Sequence, residues 1–175
     1  MDTNLLVSKL KEHLPGRILE TSFFGRVETL CLWVESKAIA EVAEFLLSTE
    51  DLAYDEIESL SCMQLEDALV LSYFLRSTQT KKEVVLRVSL AITSPKNEID
   101  MPSVQSLFPA AIVYEQEIHR LFGVRFLKKG RNHADARVVF LDGILPPGRV
   151  GFPLRKSFEV FVPPVETGNG KKNDH

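Results

Sequence analysis

Glu115 and His119 stand four residues apart, one helical turn, and with Glu117 and His133 nearby they are the residues whose spacing could hold a metal ion or move a proton. A shared ligand face at i and i+4 is geometrically allowed, but a zinc-type site needs further ligands at motif spacing and none follow. Glu115 and Glu117, two apart, point in different directions on a helix and cannot share a proton. No serine lies in a Gly-x-Ser-x-Gly elbow. Cys31 and Cys62 sit inside apolar stretches without CxxC spacing, which marks core thiols, and an iron–sulfur cluster needs about four thiolates. Phosphate-cradling loops of the GxxxxGK[ST] or GxGxxG type are absent from the sequence. No catalytic, metal-binding or cofactor-binding residue is therefore assigned, and the chain is expected to bind no cofactor.

The chemistry that does stand out is charge. Residues 1–117 carry 10 Lys and Arg against 19 Asp and Glu, whereas residues 118–156 carry 9 against 2, so −9 is followed by +7. Within the basic stretch the cations alternate with Phe, Leu and Pro, the mixture that interfaces favour. The stretch reads as a contact surface for something acidic: a partner subunit, anionic lipid or, as a remote alternative, nucleic acid, whose backbone the −9 region would repel. At 175 residues, 45% hydrophobic and 26% charged, the composition is that of an ordinary globular chain. No run approaches the roughly 18 apolar residues of a membrane span, and Met1-Asp2-Thr3-Asn4 opens a polar segment, from which a cytoplasmic protein is expected.

The elements that must position these residues follow from periodicity. Residues 4–13 read as a short amphipathic helix stopped by Pro15-Gly16. Residues 17–24 and 27–35 read as strands around a Gly25-Arg26 turn, with Leu30, Leu32 and Val34 on one face. Ser36 is placed to cap a helix to about residue 48, whose Ile39, Val42, Ala43, Leu46 and Leu47 form an apolar stripe. Three further strands are expected at 57–63, 68–75 and 83–93, the last with Val84, Leu86, Val88 and Leu90 on one side and Glu83, Arg87 and Ser89 on the solvated side. The fold class is α+β, a mixed or antiparallel sheet with helices on one face. From residue 103 a helix is expected to Gly123, capped by Ser106, with Pro109 in its first turn and Glu115 on its apolar stripe, where a carboxylate needs a partner. Beyond it lie many turn formers, so the domains read as 1–126 globular, 127–162 an extended docking segment, and 163–175 a disordered tail.

Two motifs carry a resemblance. Met101-Pro102-Ser103-Val104-Gln105-Ser106-Leu107-Phe108-Pro109-Ala110-Ala111, followed by Tyr114-Glu115-Gln116-Glu117-Ile118-His119-Arg120-Leu121-Phe122-Gly123-Val124-Arg125-Phe126, closely resembles a signature helix, PS(V/I)TxxFPAAxWxEREx(W/Y)DLFGIxF. That signature belongs to the C-subunit family of NADH:quinone oxidoreductase, complex I. Gly151-Phe152-Pro153-Leu154-Arg155-Lys156-Ser157-Phe158 resembles that family's GHPLRKDF. Departures fall on charged positions: Gln116 stands for Arg, Arg120 for Asp and Ser157 for Asp, while GHPDLRR appears only as residues 130–137 with two extra residues. The helix is also similar to that of the homologous subunit of energy-converting membrane-bound [NiFe] hydrogenases, and both readings stay open.

The resemblance implies a structural and assembly subunit without catalytic residues of its own. It would lie peripherally at the cytoplasmic side of the cell membrane and pack against the hydrogenase-like large subunit that bears the quinone site, beside iron–sulfur subunits. The interface and motif residues it points to are Glu115, Glu117, Phe122, Gly123, Arg137, Pro153, Leu154, Arg155, Lys156 and Phe158. Arg155 is expected to pair bidentately while Leu154 and Phe158 supply buried area. Glu115 and Glu117 are expected to hold Arg155 or Arg137 and so fix the C-terminal loop onto the helix.

Overall fold

A computed structural model describes residues 3–24, 29–49, 52–94, 97–127 and 151–158. Arg137, the Gly25-Arg26 turn, most of segment 127–162 and the tail 163–175 lie outside the described residues.

The chain opens with helix α1 (Thr3–His13), which buries Leu6 and Leu10, one helical turn apart. Gly16, at φ 76°, takes the left-handed turn that follows, and the chain enters strand β1 (Ile18–Phe24). Antiparallel to it runs β2 (Thr29–Val34). A 3-10 turn (Ser36–Ala38) then leads into α2 (Ile39–Ser48). Neither has a side-chain cap at its start, so Ser36 does not take the capping role expected of it. The stripe of α2 is as expected: Ile39, Val42, Ala43 and Leu46 are all buried.

Strands β3 (Glu56–Leu65), β4 (Ala68–Arg76) and β5 (Glu83–Ala91) form an antiparallel meander. At the β4–β5 turn, Asp55 accepts from the Thr78 amide at 2.8 Å and from its hydroxyl at 2.5 Å. The five strands lie in the order β1-β2-β5-β4-β3, with β2 and β5 parallel, so the sheet is mixed. Register puts Leu32 beside Leu86, Leu86 beside Tyr73 and Tyr73 beside Leu60, a continuous apolar row across four strands. That face, with the stripes of all three helices, makes one core cluster. Each apolar side chain so covered contributes about 1.5–3 kcal/mol relative to exposure. On the reverse face of β5, Glu83 and Ser89 are exposed as expected, while Val85 between them is buried and Arg87, half-buried, lies over the Trp33 ring at 5.7 Å.

After β5 the sequence expectation is corrected in one place. Residues 103–123 are not one helix. A short strand β6 (Ile99–Pro102) comes first, then turns, and helix α3 occupies only Ala111–Phe122. Neither Ser103 nor Ser106 caps it. Strand β7 (Val124–Leu127) follows α3 at once and pairs in parallel with β6. At four residues each, these strands are too short to leave a period-2 signal.

Candidate functional site: an anchored helix and the clasp on its end

Helix α3 presents Ala111, Glu115, Ile118 and Phe122 to the core, spacing 4, 3 and 4. Its one charged member on that stripe, Glu115, is only 1% exposed. Burying a carboxylate is costly unless its lone pairs are used, and three donors meet it: Ser103 Oγ at 2.7 Å, the Val104 amide at 2.8 Å and Gln105 Nε2 at 2.7 Å. The turn between β6 and α3 is thus wrapped around one side chain. The Ser103 hydroxyl, besides donating to Glu115, accepts from the Gln105 amide at 3.2 Å.

At its other end α3 stops on Gly123, in the left-handed region at φ 70°, whose amide returns to the His119 carbonyl at 2.8 Å. The last carbonyls would remain orphaned. Segment 151–158 supplies their partners. The Leu154 amide donates to Leu121 O at 3.0 Å, while Arg155 donates through Nε to Phe122 O at 2.7 Å and through Nη2 to Gly123 O at 3.5 Å. Its Nη1 reaches Ser94 O at 3.3 Å beyond β5. A cation on a helix C-terminus also meets the negative end of the macrodipole. The Phe152 ring closes the assembly, lying 4.4 Å from the Arg155 guanidinium and against the face of Gly123, where any Cβ would collide with it.

This segment, a clasp hereafter, is irregular and folds as two consecutive turns, with the Arg155 amide on Phe152 O and the Phe158 amide on Arg155 O. The Phe158 ring packs on Gly151, and the Lys156 amide reaches Gln64 Oε1 on β3 at 2.8 Å. So the clasp joins α3 to the edge strand β3, on which Tyr114 already donates to Glu58 O.

Glu115 and Arg155, expected to pair, take different partners. Each is buried, but Glu115 faces the turn before α3 and Arg155 the carbonyls after it. Glu117 is exposed, and the alternative partner Arg137 lies outside the described residues. Arg155, read as a fork for a partner, is turned inward and 3% exposed. Leu154, expected to supply area for a partner to bury, is 53% exposed in this chain, with Lys156 exposed beside it. Pro153 and Phe158 are half-buried, and Phe122 is buried. Ser103, Gln105 and Phe152 lie inside the two quoted motifs but receive no role from the sequence, and Gln64 lies outside both; their roles depend on contacts made across the fold.

The remaining reactive groups are held inert. Burial pushes the Cys62 thiol up to about 12, against a smaller downward pull from Arg155. Tyr73, fully enclosed, is raised well above the ordinary phenol value by burial first and by the nearby Glu115 and Cys62 next, and it donates to Met101 Sδ at 3.7 Å. Neither supplies a nucleophile at neutral pH. His119 turns to Glu98 at 2.8 Å, away from Glu115, and Arg125 pairs with Asp100 at 2.7 and 2.9 Å and with Glu98 at 3.5 Å. Among the described residues no three His, Cys, Asp or Glu side chains are grouped to hold a metal ion.

Fold and site together define an α+β scaffold whose buried ionic groups fasten segments to one another. The chain belongs to the family of the 30 Kd subunit of respiratory-chain NADH dehydrogenase, whose family model matches residues 32–162. Among relatives, it is 31% identical over 156 residues to the C subunit of NADH-quinone oxidoreductase from Chelativorans sp. (strain BNC1), covering 87% of this chain and 70% of that one. To the C/D subunit of NADH-quinone oxidoreductase from Phocaeicola vulgatus it is 29% identical over 121 residues, covering 69% of this chain but 21% of that longer protein. In fold it is similar to a chain of the membrane-bound sulfane sulfur reductase, an archaeal respiratory membrane complex, with a TM-score of 0.60 at 19% identity, covering 80% of this chain and 78% of the other.

Proposed function

We propose that this chain is a non-catalytic structural and assembly subunit of the peripheral arm of a NADH:quinone oxidoreductase type complex. It docks on the large subunit that bears the quinone site, at the cytoplasmic side of the membrane. The observation that carries this reading is the extent of the family match: residues 32–162 include both α3 and the clasp, where the buried charges sit. Support for the partner comes from the C/D relatives, longer chains whose single name joins C with D. Tethering of that kind raises the effective concentration of two surfaces already made for each other. No described helix is long and apolar enough to cross a membrane, so attachment to the membrane is assigned to partners. Iron–sulfur and quinone chemistry is likewise theirs.

On this reading the clasp is the docking element. Arg155 positions it from inside, and Leu154 and Lys156 meet the large subunit. Affinity purification of the tagged chain from gently solubilised membranes, with mass spectrometry and assays of NADH:quinone reductase and hydrogenase activity, tests the reading. Recovery of a quinone-site subunit with NADH activity supports it, a nickel-binding large subunit moves the chain to a membrane-bound [NiFe] hydrogenase, and a chain recovered alone refutes it. Leu154→Asp, on an exposed position, should reduce recovery of the large subunit about tenfold or more while leaving the chain's own unfolding midpoint unchanged.

A further inference from the structure

Away from the clasp, between α2 and β6, lies a groove of about 740 Å³. Its floor is apolar, with Met101, Leu107 and Leu127, and its walls carry the carboxylates of Glu41, Glu44 and Asp100 against the single ammonium of Lys37. Arg17 and Arg125, which pair with Glu41 and Asp100, do not line it.

Among the described residues, the strand bordering this groove is paired along one edge only, with β7. In the parallel β6–β7 ladder, Ile99 N donates to Gly123 O and Ser103 N to Leu127 O. Alternation along the strand therefore turns the main chain of Asp100 and Pro102 the other way, toward the groove. Among the described residues, no turn, loop or cap backbone hydrogen bond reaches the Asp100 N–H or the Asp100 and Pro102 carbonyls. Proline on that side matches an edge position, because it has no N–H to leave unsatisfied.

We infer that the groove receives an extended basic segment of a neighbouring subunit, added as a third strand to β6. Its backbone pairs with Asp100 and Pro102, one side chain enters over Met101 and Leu107, and alternate Lys or Arg side chains face Glu41 and Glu44. Strand addition gives affinity through the main chain and specificity through alternate side chains. The proposed function above is needed only to name the source of the segment, a neighbour in the same complex.

The test puts a benzophenone amino acid at Ser106, an exposed groove position, or at Leu154 on the clasp, in the full chain in cells. Ser106 should capture a Lys- or Arg-rich peptide of another subunit, and Glu41→Gln with Glu44→Gln should lower that yield about three- to tenfold. Capture of this chain's own residues 128–150, of a second copy, or of an acidic or uncharged peptide overturns the inference. So does silence at Ser106 while Leu154 captures its neighbour. If no complex is recovered at all, the docking reading fails, and the groove is decided by titrating the purified chain with a synthetic peptide of alternating Lys and Val. Salt-sensitive binding lost in Glu41→Gln/Glu44→Gln then supports the strand site; no binding overturns it.

Discussion

Glu115 shows what a single buried carboxylate can do without chemistry: it holds three successive residues of a turn at once. Glu115→Ala leaves those donors buried without an acceptor and should cost about 3 kcal/mol or more, read as a lowered urea midpoint. Gly123→Ala adds a Cβ at φ 70° and under the Phe152 ring. The backbone strain alone is about 1–3 kcal/mol, and protease sensitivity should rise in the clasp before the core. Acid acts on two other carboxyls. Hydrogen bonds from Thr78 hold Asp55, and Arg125 holds Asp100, below the ordinary 3.8. Such a group contributes stability above its unfolded value and loses it as pH falls through the lower folded one. The melting temperature should therefore drop below about pH 4. Asp55→Asn should make that drop shallower; an identical slope in thermal melts would refute the assignment.

At the scale of elements, α3 and the clasp are one unit, since the clasp completes the hydrogen bonding of the helix end. Arg155→Lys keeps the charge but cannot reach the Phe122, Gly123 and Ser94 carbonyls with one ammonium, so the clasp should open. Hydrogen exchange at the Leu154 amide should accelerate by about two orders of magnitude, corresponding to about 2–3 kcal/mol. Much of this level is readable from the chain alone. Strands β1 to β5 and the stripe of α2 announce themselves through period and composition, and Gly123 marks the end of α3 as expected. The start of α3 is hidden because Ser106 looks like a cap and Pro109 like a first-turn residue, and only the fold reveals that the preceding turn is wrapped around Glu115. The motif around Arg155 singles it out, but does not say whether a guanidinium turns outward to a partner or inward to carbonyls.

In the whole molecule, all three helices lie on one face of the sheet, while Cys31, Val70 and Val85, buried on the other, stand outside the main cluster. The charge asymmetry read from sequence extends over the same chain, −9 before residue 118 and +7 after it. If that asymmetry guides association, capture of the proposed large-subunit partner should slow as ionic strength rises through about 0.1 M, with a smaller change in the dissociation rate. A salt-independent association rate would sink this expectation.

The parallel pairing of β2 with β5 has a temporal consequence. Leu30 meets Val84 only after the whole intervening helix and meander have been made, whereas β3, β4 and β5 can zip through adjacent turns. Closing the long loop is entropically expensive before its contacts reward it. On the ribosome, the β1–β2 hairpin must therefore wait, unpaired along one edge, until β5 emerges. Leu71→Ala in the meander should slow refolding, whereas Leu32→Ala in β2 should chiefly accelerate unfolding, a contrast that stopped-flow chevrons resolve.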